Sequence, residues 1–450
     1  MPLLDLLNLP DAGASCEASY RADNVTGAGT ASAWPDRSGN GRDITFPNEP
    51  TITSDAGADY NNQPGLTFNG SNNYGSTSSF TVSQPLWVVA IGEATLSNAG
   101  SKALFDGSTT GSGTRAVVLW SASEVVQLFD GSTIRTGTTG NSVPGSYAAL
   151  FSGASSSLRV NLVEEIANSL NASAGIASGI TIGASGNVAN YWGGNLLELA
   201  VFSAEPTQAD LAFLAQYCEQ RYGFAPPFPQ LSSTSTTFDS DTTTHNVNIP
   251  ALEAGEGVVV ALEANGAGGI TTPGGGWERF DNHGSNNGGL FRYKATSDEV
   301  ATTVNFATTN AVTAVARVIK VSLWSGNLAE MEASAVENVG SGTAPNPPSV
   351  TASWGSDRNT FIAIGQASDD DIAFTAAPAN YTDLVSAVSG GGTNNGCSVG
   401  SAHRNLENAS DDPGTFTLAS SENWGANTVV IRPLLSVGPF VPTLPLLGVG

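Results

Sequence analysis

The side chains able to do chemistry are few and widely spaced. The three histidines, His245, His283 and His403, are far apart in sequence, which argues against a metal or catalytic cluster. Gly111, Ser112 and Gly113 lie in a Gly/Ser/Thr turn, not on the strand-to-helix elbow that exposes a nucleophilic serine. Glu164 and Glu165 are adjacent, so on a strand they project to opposite faces. Asp369, Asp370 and Asp371, like Asp239 and Asp241, could offer oxygens to calcium. They lack the glycine and distal glutamate of a dedicated loop and read as solvated acidic turns. No cofactor is therefore expected, and calcium is the unsupported alternative. Gly274–Gly276 and Gly390–Gly392 lack the Lys-Ser/Thr of a phosphate loop. Aromatic side chains beside small polar residues suit stacking on a sugar ring. The candidates are Tyr191 and Trp192, next to Gly193 and Gly194, and Trp277 near His283.

Composition narrows the partners. Acidic residues number 40 against 16 basic, for a net charge of −24, and the only lysines are Lys102, Lys294 and Lys320. No basic patch could neutralise several phosphates or an anionic bilayer, so nucleic acid and membrane are excluded as partners. The cysteines are Cys16, Cys218 and Cys397, too few for a disulfide framework. Cys16 and Cys218 are either bridged or, the reading preferred here, two buried small apolar residues. The first residues carry no basic n-region, and no apolar run reaches membrane-spanning length, which reads as a soluble chain without a secretory signal.

The elements that must position these residues are strands, with one exception. From Pro206 to Phe224, Leu211, Leu214, Cys218 and Tyr222 recur at helical spacing. Thr207 and Asp210 form a capping box, Gly223 is the left-handed C-cap, and Pro226, Pro227 and Pro229 stop the helix. Its apolar stripe is expected to face the first domain. Elsewhere short alternating runs are separated by Gly, Asn, Asp and Ser clusters. They include 86–92, 115–120, 124–129, 147–151, 158–163 and 195–202, then 246–250, 257–263, 290–294, 301–307, 312–323, 360–365 and 427–432. The fold class expected is all-β: two antiparallel β-sandwich domains of jelly-roll or immunoglobulin-like type in series, with one C-terminal helix closing the first. The divisions expected are an apolar N-terminal arm (1–12), a first domain (13–225), a proline-rich linker (226–231), a second domain (232–435) and an apolar proline-rich tail (436–450).

Three stretches of the first domain resemble laminin-G-like, concanavalin-A-like jelly-roll domains. They are the turn Trp34–Asp43, the strand and turn Gly65–Tyr74, and the strand Leu196–Phe202 followed by the terminal helix. The resemblance covers residues 14 to 224 and implies a fold that serves lectins, glucanases, adhesins and virion proteins alike. Asn69 and Asn73 stand where the family often has acids, which weakens a calcium site there. The Glu-x-Asp-x-x-Glu run of its glucanases is absent, so the chain is read as non-enzymatic. In the second domain the stretches 257–266, 270–280, 290–296, 373–384 and 427–433 together resemble modules of phage structural proteins and marine bacterial surface proteins.

The function expected is a structural or adhesive protein on the surface of a tailed-phage virion, as head decoration, head fibre or tail-associated protein. Its partners would be capsid or tail proteins and host-surface glycans, with self-association left open. A terminal arm would anchor it through Leu3, Leu4, Leu6 and Leu7 or through Phe440, Val441, Leu444, Leu446 and Leu447. The alternative is a carbohydrate-binding protein of the bacterial extracellular surface.

Overall fold

A computed structural model describes residues 5–95, 100–107, 115–140, 142–167, 170, 175–266, 269–281, 287–390 and 396–434. They divide into two compact units between Pro226 and Pro227. Both are all-β, as the alternation requires, and the helix Gln208–Tyr222 is the one α-helix among the described residues.

The first unit is a sandwich of an eight-stranded and a nine-stranded antiparallel sheet. At the centre of the eight-stranded sheet, Leu86–Ala94 lies between Gly145–Phe151 and Gly193–Phe202. In the facing sheet, Lys102–Gly107 lies between Val117–Trp120 and Ile180–Ile182. Alternation sends Leu86, Val88 and Ala90 into the space between the sheets, where Trp34, Phe68, Trp120, Tyr147 and Trp192 also pack. The Trp34–Asp43 turn is organised by Asp36, whose carboxylate accepts the backbone N–H groups of Ser19, Ser38 and Arg42 at 2.9–3.0 Å. In the Gly65–Tyr74 stretch, the Asn69 side chain accepts three successive N–H groups, from Ser71, Asn72 and Asn73. An asparagine oxygen thus closes this turn by the local bonding its short side chain favours.

The other face of the eight-stranded sheet is covered by the helix. Thr207 and Asp210 form the capping box, and Gly223 takes φ 76° at the C-cap. Leu211, Leu214, Cys218 and Tyr222 are all buried against their own unit. Tyr217 and Tyr222 donate their hydroxyls to Glu198, a fully buried carboxyl on the central strand Gly193–Phe202. Burial holds the Glu198 carboxyl above the usual carboxylate range, against the two hydroxyls that favour its ionised form.

Residues 5–12 of the N-terminal arm pack on this same unit. Leu6 and Leu9 are buried and Leu7 is half-buried. Asp5 pairs with Arg21 and Arg37, and the Asp210 carboxylate accepts the N–H groups of Asp11 (3.0 Å) and Ala12 (3.2 Å). Leu3, Leu4, Phe440, Val441, Leu444, Leu446 and Leu447 lie outside the described residues. Cys16, Cys218 and Cys397 are free thiols, so the first two are not bridged.

One expected strand is in fact a hairpin. Residues 158–163 split into Ser157–Val160 and Val163–Ala167, with Val160 opposite Val163. Asn161 and Leu162 both take positive φ, 49° and 67°, the conformation of a two-residue type I′ turn.

In the second unit, a sheet centred on Thr302–Ser322 and Gly257–Ala264 faces one centred on Asp357–Asp369 and Glu422–Ile431. Val259, Val315, Ile319 and Val321 meet Ile362, Ile364, Val399, Val429 and Ile431 between them. The strands Gln230–Ile249 and Thr302–Ser322 pair along their whole length, with register shifts around residues 238–244. Beyond these shifts Val247, Ile249 and Phe306 pack with Val258, Val260 and Leu262, the residues alternating with the inter-sheet set. The same sheet is therefore apolar on both faces.

Candidate functional site

The helix and N-terminal arm cover the outer face of one sheet of the first unit, which leaves the outer face of the nine-stranded sheet. Its residues follow from alternation. A Cβ on Gly75 would strike the interior side chains of Ile44 and Phe46, so its neighbours Tyr74 and Ser76 face outward. Past the strand Ile180–Ile182 the chain stays beside Lys102–Gly107. Gly183 donates to the Leu104 carbonyl and Ala103 donates to that of Asn190, both at 2.9 Å. Tyr191 thereby lies 6.4 Å, ring to ring, from Tyr74, and both are half-buried.

Tyr191 and Trp192, read together as a sugar-stacking pair, are separated by this geometry. Trp192 is 1% exposed, with its ring against Phe68 (5.6 Å) and Trp120 (6.3 Å) inside the sandwich. It is a core residue, because consecutive extended residues point to opposite sides. Tyr191 keeps its outward position, and Tyr74 joins it.

The same sheet carries a charged pair that the sequence reading did not single out. Asp106 is fully buried, accepts from the Arg115 Nε at 3.2 Å and also from Nη2, and accepts the Gly186 N–H at 2.6 Å. Desolvation raises its pKa, and the Arg115 bonds act against that rise. Arg115 also stands over the Phe129 ring at 5.6 Å. Phe129 in turn packs on Ala103, Val117 and Leu119, a small apolar cluster separate from the main core. The pair ties the 185–192 turn to the strand Lys102–Gly107. Nothing local in the sequence flags it, since Gly186 is far from Asp106 along the chain.

In the second unit Trp277 is half-buried and stacks on Tyr293 at 5.1 Å and 18°, with Phe306 edge-on at 5.4 Å. One side of its indole is therefore taken by the protein. His283 lies outside the described residues. His245 is buried and bonded to Thr308 at 3.1 Å, and its pKa is lowered by burial. Three of the acidic candidates serve local structure. Asp371 accepts from the Ser389 hydroxyl and the Gly390 N–H, Glu165 accepts from Thr138 and Thr139, and Glu164 pairs with Arg159.

No protein-family model matches this chain. No curated protein matches it either. Among solved structures, Trypanosoma rangeli sialidase in complex with sialic acid is 12% identical, covering 47% of this chain and 34% of that one, with a TM-score of 0.34. Domain 4 of a GH43 extracellular arabinanase from Geobacillus stearothermophilus, in complex with arabinotriose, is 14% identical over 45% of this chain and 98% of that one, at 0.33. A GH54 α-L-arabinofuranosidase is 14% identical over 55% and 74%, at 0.35. This chain spans about a third of the sialidase. At these values the likenesses carry no argument about activity.

Proposed function

We propose that this chain is a non-enzymatic adhesive protein of a tailed-phage virion surface, whose first unit is a concanavalin-A-like jelly roll that contacts host glycans. The observation that carries the glycan contact is the outward pair Tyr74 and Tyr191 on the sheet face that helix and arm leave uncovered. Tyrosine offers a flat apolar ring with a polar tip, which suits the CH face and hydroxyls of a sugar. A binding role is supported by the buried carboxylates of this unit. Asp106, Asp130, Glu198 and Asp210 are all engaged in structural bonds to arginine, serine, tyrosine or backbone. The virion assignment is supported by two β-sandwich units in series, strong acidity and the apolar stretch 436–450, which would anchor the chain to capsid or tail.

A glycan array probed with the full chain and with Tyr191→Ala tests the adhesive role. Binding that falls with Tyr191→Ala and with Tyr74→Ala is expected. Array binding indifferent to both substitutions refutes the site, and no binding refutes the role. Incorporation of a chain truncated after 435 into purified particles tests the anchor, with undiminished incorporation removing that part.

A further inference from the structure

We propose that the second unit holds a binding site for a carboxylate on a compact stem, built around Arg317 between its two sheets. Arg317 sits on Thr302–Ser322 and is 3% exposed. It shares the phase of Val315, Ile319 and Val321, the residues that face the opposite sheet. It lines a cavity of about 130 Å³ whose apolar walls include Leu231, Ile319, Ile362 and Val385.

The partners of this guanidinium are all neutral. Nε donates to Ser401 Oγ at 3.2 Å, Nη1 to Ser235 Oγ at 3.1 Å and Nη2 to Ser233 Oγ. Among the described residues no carboxylate pairs with it. Asp383, also on the cavity wall, lies 3.6 Å from His403, whose pKa burial lowers, and is largely exposed to solvent. Burying a cation without a counter-charge is unfavourable, and burial pushes the Arg317 pKa down to about 10. Three serine hydroxyls satisfy hydrogen bonds and leave the charge in place.

The cavity has the form of a site that supplies that charge from outside. Ser233 and Ser235 are exposed, so solvent enters along Gln230–Ile249. The three hydroxyls accept from Arg317 and keep their own protons to donate inward. Of the five guanidinium N–H groups three are held by serine, which leaves two for an incoming anion. The aliphatic walls favour a short apolar or ring stem behind the carboxylate over a fully hydrated inorganic ion.

The test is calorimetric titration of the full chain with sodium butyrate, sodium glucuronate and butyramide, with sodium chloride matching ionic strength. Saturable binding of a carboxylate, with none of butyramide, is expected. Preference for butyrate or glucuronate tells an aliphatic from a sugar stem. Arg317→Lys should weaken binding by about tenfold or more, as a planar fork becomes a point charge. Arg317→Met should abolish it. Ser233→Leu, at an exposed position on the cavity wall, should block binding in a chain that still melts cooperatively, which covers the case in which Arg317→Met fails to fold. Equal binding of butyramide, undiminished affinity in Arg317→Lys, or no carboxylate binding at millimolar concentrations overturns the proposal.

Discussion

Replacing Asp210 by alanine should unfasten the N-terminal arm and the helix together. One carboxylate serves both: it caps the helix through Thr207 and accepts the N–H groups of Asp11 and Ala12. Loss of a helix cap costs about 1 kcal/mol. Leaving buried N–H groups without acceptors adds about 1–3 kcal/mol. The sum, about 2–4 kcal/mol, corresponds to a fall of roughly 4–8 °C in the melting of a unit this size. Thr207→Ala removes the cap hydroxyl, which also donates to Asp11 at 2.7 Å, but keeps the Asp210 carboxylate, and should cost about 1 kcal/mol. Hydrogen exchange gives the sharper readout, because amides 6–12 and 208–212 should accelerate together in Asp210→Ala. Asp210→Asn keeps one acceptor oxygen and should fall between. A melting change in Asp210→Ala no larger than in Thr207→Ala, with exchange at residues 6–12 unaltered, would refute the shared role.

Other consequences can be measured directly. Trp192→Ala should destabilise the first unit by about 3–5 kcal/mol in denaturant melts, as expected for a large core truncation, whereas half-buried Tyr191→Ala should cost far less. The raised carboxyl of Glu198 binds its proton more tightly when folded. Its contribution is therefore fully present below the ordinary glutamate range and is lost as pH rises through the raised value. Stability of Glu198→Gln relative to wild type should accordingly improve from pH 4 to pH 8, and parallel pH profiles would count against the assignment. Gly92→Ala places a Cβ 2.1 Å from the Asn195 carbonyl oxygen and should yield little soluble protein. Cys16, its thiol pushed up to about 12 by burial, should resist iodoacetamide at pH 8 in the native chain and react once denatured.

Local chemistry was legible in the sequence. Thr207, Asp210 and Gly223 define the helix because caps act within one turn of chain. Alternation named most strands because burial on one face imposes a period of two. The 158–163 run misled because leucine rarely occupies a positive-φ turn position, so Leu162 disguised the hairpin. Burial at Tyr191 and Trp192 could not be assigned from type, since the choice between neighbours depends on register with strands distant in sequence. Arg317 stands out in the sequence as an exception: it falls in phase with Val315, Ile319 and Val321, where an apolar residue belongs. Its cavity was not legible, because Ser401 reaches it from the opposite sheet, 84 residues along the chain.

The bonds from Asp11 and Ala12 to Asp210 span 199 and 198 residues. During synthesis the arm leaves the ribosome before the helix and has no acceptor until the helix follows. The strand Cys16–Arg21 likewise waits for Gly193–Phe202, its pairing partner. The first unit therefore cannot close progressively from its beginning; its leading edge stays unpaired until its last element arrives. Such long-range closure slows folding and leaves apolar Leu6 and Leu9 uncovered meanwhile.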